Sequence, residues 1–256
     1  MRPRLIPVLL LDRDRRLVKT VRFGERTYIG DPFNVVRLFN EKEVDEICIL
    51  DIDASLDGRL PDVGFLSELA AECFMPLSYG GGVAPGAPLA GLARAGVEKF
   101  IVGSRAGDPA FIRGLAADYG SQAVVGCVDY RDGPDGSALI RSASTDTGRT
   151  ARELSLELVD AGAGEIIAQS IEHDGMRSGM DLGTLTELSA ALPVPLVALG
   201  GAREAKDLEA ALEAGAHAAA SGSAFSFIGK LRAVLINYPT AFVRDGALPA
   251  NDGGAA

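Results

Sequence analysis

Pro76-Leu77-Ser78-Tyr79-Gly80-Gly81-Gly82 returns 119 positions later as Pro195-Leu196-Val197-Ala198-Leu199-Gly200-Gly201, and this echo decides the fold. Each copy is a short apolar run stopped by glycines, the pattern of a buried strand that ends in a tight turn. The same gapless shift lays Glu46 on Glu165, Asp62 on Asp181, Leu66 on Leu185, Glu68 on Glu187, Leu69 on Leu188 and Gly103-Ser104 on Gly222-Ser223. A single offset that matches so many positions marks a duplication.

Working outward, eight short apolar runs alternate with segments that have apolar residues at helical spacing. The runs are Leu5 to Leu10, Ile47 to Ile52, Leu77 to Tyr79, Phe100 to Val102, Ala123 to Val128, Ile166 to Gln169, Leu196 to Leu199 and Ala218 to Ala220. Between them, Leu66, Leu69, Ala70 and Cys73, or Leu185, Leu188 and Leu192, form stripes that would pack on a sheet. Periodicity alone leaves an open doubly wound sheet in play. The duplication favours an α/β (β/α)8 TIM barrel built from two half-barrels of four units, which leaves no free sheet edge. Residues 1–240 would form this one domain, and 241–256, rich in Gly, Ala, Pro and Asp, a flexible C-terminal tail.

Composition narrows the function classes. A length of 256 residues with 47% hydrophobic content suits one large α/β domain. The formal charge of -10 gives no general attraction to nucleic acid or acidic lipid, so an anionic ligand must be held by local amides and a few cations. Small molecules or proteins are the expected partners. No apolar stretch reaches the roughly 18 to 20 residues that span a bilayer. Cys48, Cys73 and Cys127 lie in separate apolar runs and form no metal or redox motif, which suits a reducing cytoplasm. His173 and His217 have no partner at ligand spacing, so no metal site and no cofactor are expected.

In a barrel, the residues just past each strand share one face. Gly81-Gly82 and Gly103-Ser104 follow strands three and four, and Gly200-Gly201 and Gly222-Ser223 follow strands seven and eight. Glycine lets backbone amides approach an oxyanion, and a helix N-terminus adds donors, so each pair could cradle a phosphate. Any one of these glycines could equally serve only a tight turn. Two matched pairs point to a ligand phosphorylated at both ends.

These residues resemble the cyclase subunit family of imidazole-glycerol-phosphate synthase. The matching segments are Arg4-Leu5-Ile6-Pro7, Asp45-Glu46-Ile47 through Leu50-Asp51-Ile52, Gly80 to Val83, Tyr119-Gly120-Ser121-Gln122-Ala123-Val124-Val125, and Ala163-Gly164-Glu165-Ile166. They continue through Ser170 to Asp174-Gly175, Ser178-Gly179 and Gly222-Ser223, so the likeness runs from residue 4 to about 240. The resemblance implies a barrel that receives ammonia from a separate glutaminase subunit at its floor. It also implies a doubly phosphorylated substrate at the mouth and two aspartates for acid/base work there.

On this resemblance the second aspartate is Asp129, and the first would stand three residues after Pro7, where this chain has Leu10. The 119-residue shift independently lays Leu10 on Asp129. Leucine cannot move a proton. Asp12, two residues on, is a weak substitute displaced by about 6 to 7 Å along a strand, or simply a solvated loop charge. The resemblance further implies an ammonia gate of Arg4, Glu46, Lys99 and Glu165, which could otherwise be a structural ion-pair plug. It places Asp51 at the active face, Lys19 on a long loop that would reach a phosphate on closing, and Asp174-Gly175 beside a phosphate site or in a plain capped turn. Departures concentrate at the mouth: the family tends to have Asn-Thr at Gly103-Ser104, threonine at Gln169 and serine at Leu199.

A retained gate with half of the acid/base pair missing resembles a paralogue found with surface-polysaccharide genes. That paralogue pairs with a glutaminase to supply ammonia to a sugar amidotransferase. Phe39-Asn40-Glu41-Lys42-Glu43-Val44-Asp45-Glu46, Glu72-Cys73-Phe74-Met75-Pro76 and Arg232-Ala233-Val234-Leu235-Ile236-Asn237-Tyr238-Pro239 look closer to that branch. The expectation is therefore an ammonia-passing barrel, with an active cyclase of histidine biosynthesis and a non-catalytic glutaminase scaffold as the alternatives.

Overall fold

A computed structural model describes residues 2–131, 133–228, 233–234 and 236–239; the expected tail over 241–256 lies outside them. The eight expected strands all form: β1 (Arg4–Leu11), β2 (Ile47–Asp51), β3 (Leu77–Gly80), β4 (Val97–Val102), β5 (Val124–Tyr130), β6 (Glu165–Ser170), β7 (Leu196–Leu199) and β8 (Ala218–Ser221). Each pairs in parallel with the next, and β8 returns to β1, so the sheet closes and the open alternative is excluded. Of the expected strand residues, Ala123 falls instead in a short 3-10 turn and Ile52 in the turn after β2.

The duplication is carried into the hydrogen-bond register. Ile47 sits opposite Leu77 as Ile166 sits opposite Leu196, and Val8 opposite Cys48 as Cys127 opposite Ile167. Leu10 opposite Leu50 likewise corresponds to Asp129 opposite Gln169. Because side chains alternate along a strand, a register kept to the residue puts duplicated positions at the same height in the lumen.

Among the described residues, seven helices cover the outside: α1 (Pro32–Glu41), α2 (Val63–Ala71), α3 (Leu89–Ala95), α4 (Pro109–Tyr119), α5 (Ala151–Asp160), α6 (Leu182–Ala191) and α7 (Ala205–Glu213). Their starts are written in the sequence. Asp62 and Asp181, a duplicated pair, accept the Phe65 and Thr184 amide protons at 3.1 and 3.2 Å, and Thr150 with Glu153 closes a capping box on α5. The predicted stripes face inward, with Leu66, Leu69 and Ala70 buried on α2 and Leu185 and Leu188 on α6.

Two separate apolar cores result. Leu5, Leu9 and Leu11 of β1 join Phe39, Leu69 and Leu188 between sheet and helices. The alternate residues Ile6, Val8 and Leu10 face the lumen with Cys48, Ile101, Val125 and Ile167. Among the described residues, two hairpins at the mouth and the short antiparallel pair of Phe227–Ile228 with Ala233–Val234 are absent from the sequence-based expectation. After β1, Leu17–Thr20 and Arg26–Gly30 form an antiparallel hairpin; after β5, Ser137–Ile140 and Thr145–Thr150 form another. Each half-barrel thus extends its first strand with a hairpin at the mouth, Leu10 pairing with Val18 and Asp129 with Leu139. Both segments are polar and bulged, with weak alternation, which is why they read as loops.

Phe39 of α1 is fully buried against this outer core. Phe39→Ala is expected to cost about 3–5 kcal/mol, read as a lowered midpoint in urea unfolding.

Candidate functional site

The floor of the barrel is built by residues that begin strands. Arg4 opens β1, Glu165 opens β6, Lys99 lies early in β4 and Glu46 immediately precedes β2. Arg4 Nη1 donates to Glu46 Oε2 at 2.6 Å and its Nη2 to Glu165 Oε1. Lys99 Nζ donates to Glu46 Oε2 at 2.9 Å and to Glu165 Oε2 at 2.8 Å. The four residues named from sequence therefore form a closed ring in which each cation bridges both carboxylates. The carboxylates are buried while the cations keep about a fifth of their side chains exposed, so the ring is the boundary between solvent and lumen. Directly above it a cavity lined by Glu46, Glu165, Ile6, Val125, Ile167 and Val197 rises to Val8, Ile101 and Leu199, which border the clefts of the mouth.

At the mouth the sequence-derived residues fall into two adjoining clefts. The larger, about 140 Å³, gathers Asp51, Gly81, Gly82, Gly103, Ser104 and Asp129 with Arg26, Ser55, Arg141 and Ser142. The smaller, about 30 Å³, gathers Lys19, Asp174, Gly175, Gly200, Gly201, Gly222 and Ser223. Leu10, Thr20 and Gln169 line both, so Leu10 stands on the wall between the two clefts.

Gly81 and Gly200 need to be glycine. Their φ angles are 124° and 105°, and a Cβ would lie 2.6 Å from the Asp51 carbonyl oxygen or 2.7 Å from that of Ser170. The other pair is asymmetric: a Cβ on Gly222 would collide with the Lys19 ammonium, whereas one on Gly103 would meet only ordinary contact with Cys127. The helix N-termini expected at these glycines lie further along, at Leu89, Pro109 and Ala205, so the nearby amides come from turns.

Lys19 needs a correction. It is in the first hairpin strand, buried, with Nζ donating to the Val8 carbonyl at 2.6 Å, and it reaches the small cleft without any loop closure. Burial lowers its pKa to about 8, partly offset by Asp174. Burial raises the Asp174 carboxyl above the usual range, against the pull of the Thr20 hydroxyl at 2.7 Å, the Phe23 amide and Lys19.

Asp12 is also placed elsewhere. The chain turns after Leu11, and the Asp12 carboxylate accepts from the amides of Asp14 and Arg16 at 2.9 Å and from the Arg16 guanidinium. Those bonds outweigh burial and hold its pKa below the ordinary value. It staples a turn and lines neither cleft, so it does not stand in for an acid at position 10. Asp51 lines the larger cleft, yet Arg59 holds both its oxygens at 3.1 Å.

Asp129 differs from these. No lysine or arginine pairs with it among the described residues; its recorded hydrogen bond comes from the Cys127 thiol at 3.7 Å. Burial pushes its pKa to about 7, with the thiol opposing and Asp174 adding to the shift. A carboxyl that titrates near neutrality on the wall of a cleft suits proton transfer. Arg26, held to buried Asp53 at 2.6 and 2.7 Å, and the hairpin tip Arg141-Ser142, with φ of 55° and 54°, escaped the sequence reading. Only the Asp51-Ile52-Asp53 spacing at a strand end hinted at the first. His173 bonds Ser170, and His217 accepts the Leu196 amide proton; no metal-binding cluster occurs among the described residues. No helix of the described residues is long and apolar enough to cross a membrane.

Residues 4–232 match the family model described as "Histidine biosynthesis protein". The chain is 44% identical over 243 residues to the Pseudomonas aeruginosa protein named "Putative imidazole glycerol phosphate synthase subunit hisF2", covering 93% of this chain and 96% of that one. A Leptospira borgpetersenii protein named in the same way as a HisF subunit is 40% identical over 97% of this chain and 100% of its own. The Hyphomonas neptunium imidazole glycerol phosphate synthase subunit HisF is 38% identical over 89% and 91%.

The raised pKa of Asp129 fixes the sign of a pH effect. Its carboxyl is protonated up to about 7 in the folded chain and only to about 3.8 when unfolded, so the folded state loses stability as pH rises between those values. Asp129→Asn is expected to raise the melting temperature at pH 8 and leave it unchanged at pH 3, measured by calorimetry.

Proposed function

Because the chain belongs to the histidine biosynthesis protein family, among HisF-like cyclase subunits of imidazole glycerol phosphate synthase, we propose that it carries ammonia through its core to an acceptor other than the cyclase substrate. The partner at the floor is a glutaminase subunit, bound as a heterodimer, and the acceptor is a sugar handled by an amidotransferase. One observation carries this reading: Leu10 stands between two anion-type clefts, above an apolar lumen and a complete charged ring. Uncharged ammonia crosses an apolar lumen far more readily than ammonium, and a ring of mutually satisfied charges can open at a single ion pair. The glycine-rich turns, with Lys19 on one side, would hold a phosphorylated ligand, and Asp129 would exchange a proton with it. Without a second acid opposite Asp129, a cyclisation that needs protons moved at two places stalls.

An active cyclase is the second reading, and the near-neutral Asp129 favours it. It would require water to serve at position 10, because Asp12 is engaged with Arg16. The experiment combines the purified chain with its glutaminase and measures imidazole-glycerol-phosphate formation from glutamine. No turnover is expected from the natural chain, and Leu10→Asp is expected to gain activity on the order of 10² to 10⁴-fold over that baseline. Robust turnover without the substitution establishes the cyclase reading instead. Lys99→Ala should break the coupling of glutamine hydrolysis to ammonia delivery while the complex still forms; intact delivery would point to a scaffold.

A further inference from the structure

A second cavity, of about 380 Å³, lies outside the barrel wall between the upper ends of β1, β2 and β3 and the start of α2. Its size is within the roughly 300–1,000 Å³ of small-ligand pockets. Asp51 is the only residue it shares with the clefts of the mouth, so the two spaces are separate rooms with one common wall. Leu11, Leu66 and the Phe65 ring give it apolar sides.

Tyr79 makes this cavity unusual. It points away from the lumen, is only 2% exposed, and its hydroxyl has no hydrogen-bond partner among the described residues. A buried tyrosine hydroxyl ordinarily finds a partner, and sealing one without any costs about 1–3 kcal/mol. Here the group lines an open cavity instead. Burial also raises its pKa, so it stays a neutral donor.

The rim has donors to spare. Arg13 commits one side-chain hydrogen bond to Asp57 and a longer ion pair to Asp53, and Arg15 one hydrogen bond to Asp62, out of five N–H groups each. Arg15 lies over the Phe65 ring at 5.1 Å, at the edge of the cavity. The carboxylates that line the same space are already engaged: Asp12 by Arg16, Asp51 by Arg59 and Asp62 by Arg15. Unused donors at both ends, unused apolar surface between them, and acceptors already taken define what is missing.

We propose that this cavity binds a small aromatic acid, its ring between Leu66 and Phe65, an inner oxygen accepting from Tyr79, and its anionic group accepting from Arg13 and Arg15. The site opens away from the ammonia path and shares only the Asp51 wall with the larger cleft of the mouth. Titration of the full chain with 4-hydroxybenzoate and with benzoate, followed by calorimetry, tests it. The two probes share ring and carboxylate and differ only in the inner oxygen. The natural chain should bind 4-hydroxybenzoate about tenfold more tightly, and Tyr79→Phe should abolish that difference while benzoate affinity stays the same. Arg15→Ala should weaken both probes alike. Failure of 4-hydroxybenzoate to bind at millimolar concentration, a preference that survives Tyr79→Phe, or binding insensitive to Arg15→Ala overturns the proposal.

Discussion

Every second residue of a barrel strand must face the lumen, and a closed parallel ring gives that side chain nowhere else to go. On β1 this constraint strings Arg4, Ile6, Val8 and Leu10 along one inner line from floor to mouth. On β5 it strings Val125, Cys127 and Asp129 along another. The charged ring, the apolar interior and the position opposite Asp129 are therefore features of single strands read at a period of two. The kept register of the duplication then fixes their relative heights.

The two ends of the barrel solve their electrostatics differently. At the floor, two cations and two carboxylates satisfy one another, so a buried charge cluster persists without an isolated ion. At the mouth, Asp51 and Asp53 are neutralised by Arg59 and Arg26, while Asp129 has no cationic partner among the described residues and is driven toward the neutral acid. The Lys19 ammonium, burdened by burial, sits where Gly222 leaves room for it. Rigid pairs thus shape the rim, and the groups whose charge is least settled face the cleft.

The first hairpin ties these regions together. It pairs with β1 beside Leu10, delivers Lys19 and Thr20 to the small cleft and Arg26 to the larger one, and the turn that leads into it from β1 is held by Asp12. A segment that reads as an irregular polar loop supplies much of the polar lining.

The sequence by itself determined the eight-unit barrel and its duplication, because buried strands and glycine turns are local patterns and one offset exposes their repetition. Asp62 and Asp181 were equally legible as matched positions, and the residue types of the floor ring could be named through the resemblance. The tertiary structure decided what those residues do to one another. Only the folded chain shows that Asp12 is bound by Arg16 within its own turn, that Arg26 reaches across to Asp53, and that Lys19 reaches the Val8 carbonyl from an antiparallel strand. It alone leaves the Tyr79 hydroxyl facing a cavity. Side-chain charge, burial and hydrogen bonding depend on neighbours distant in the chain, and no local periodicity encodes which neighbours those are.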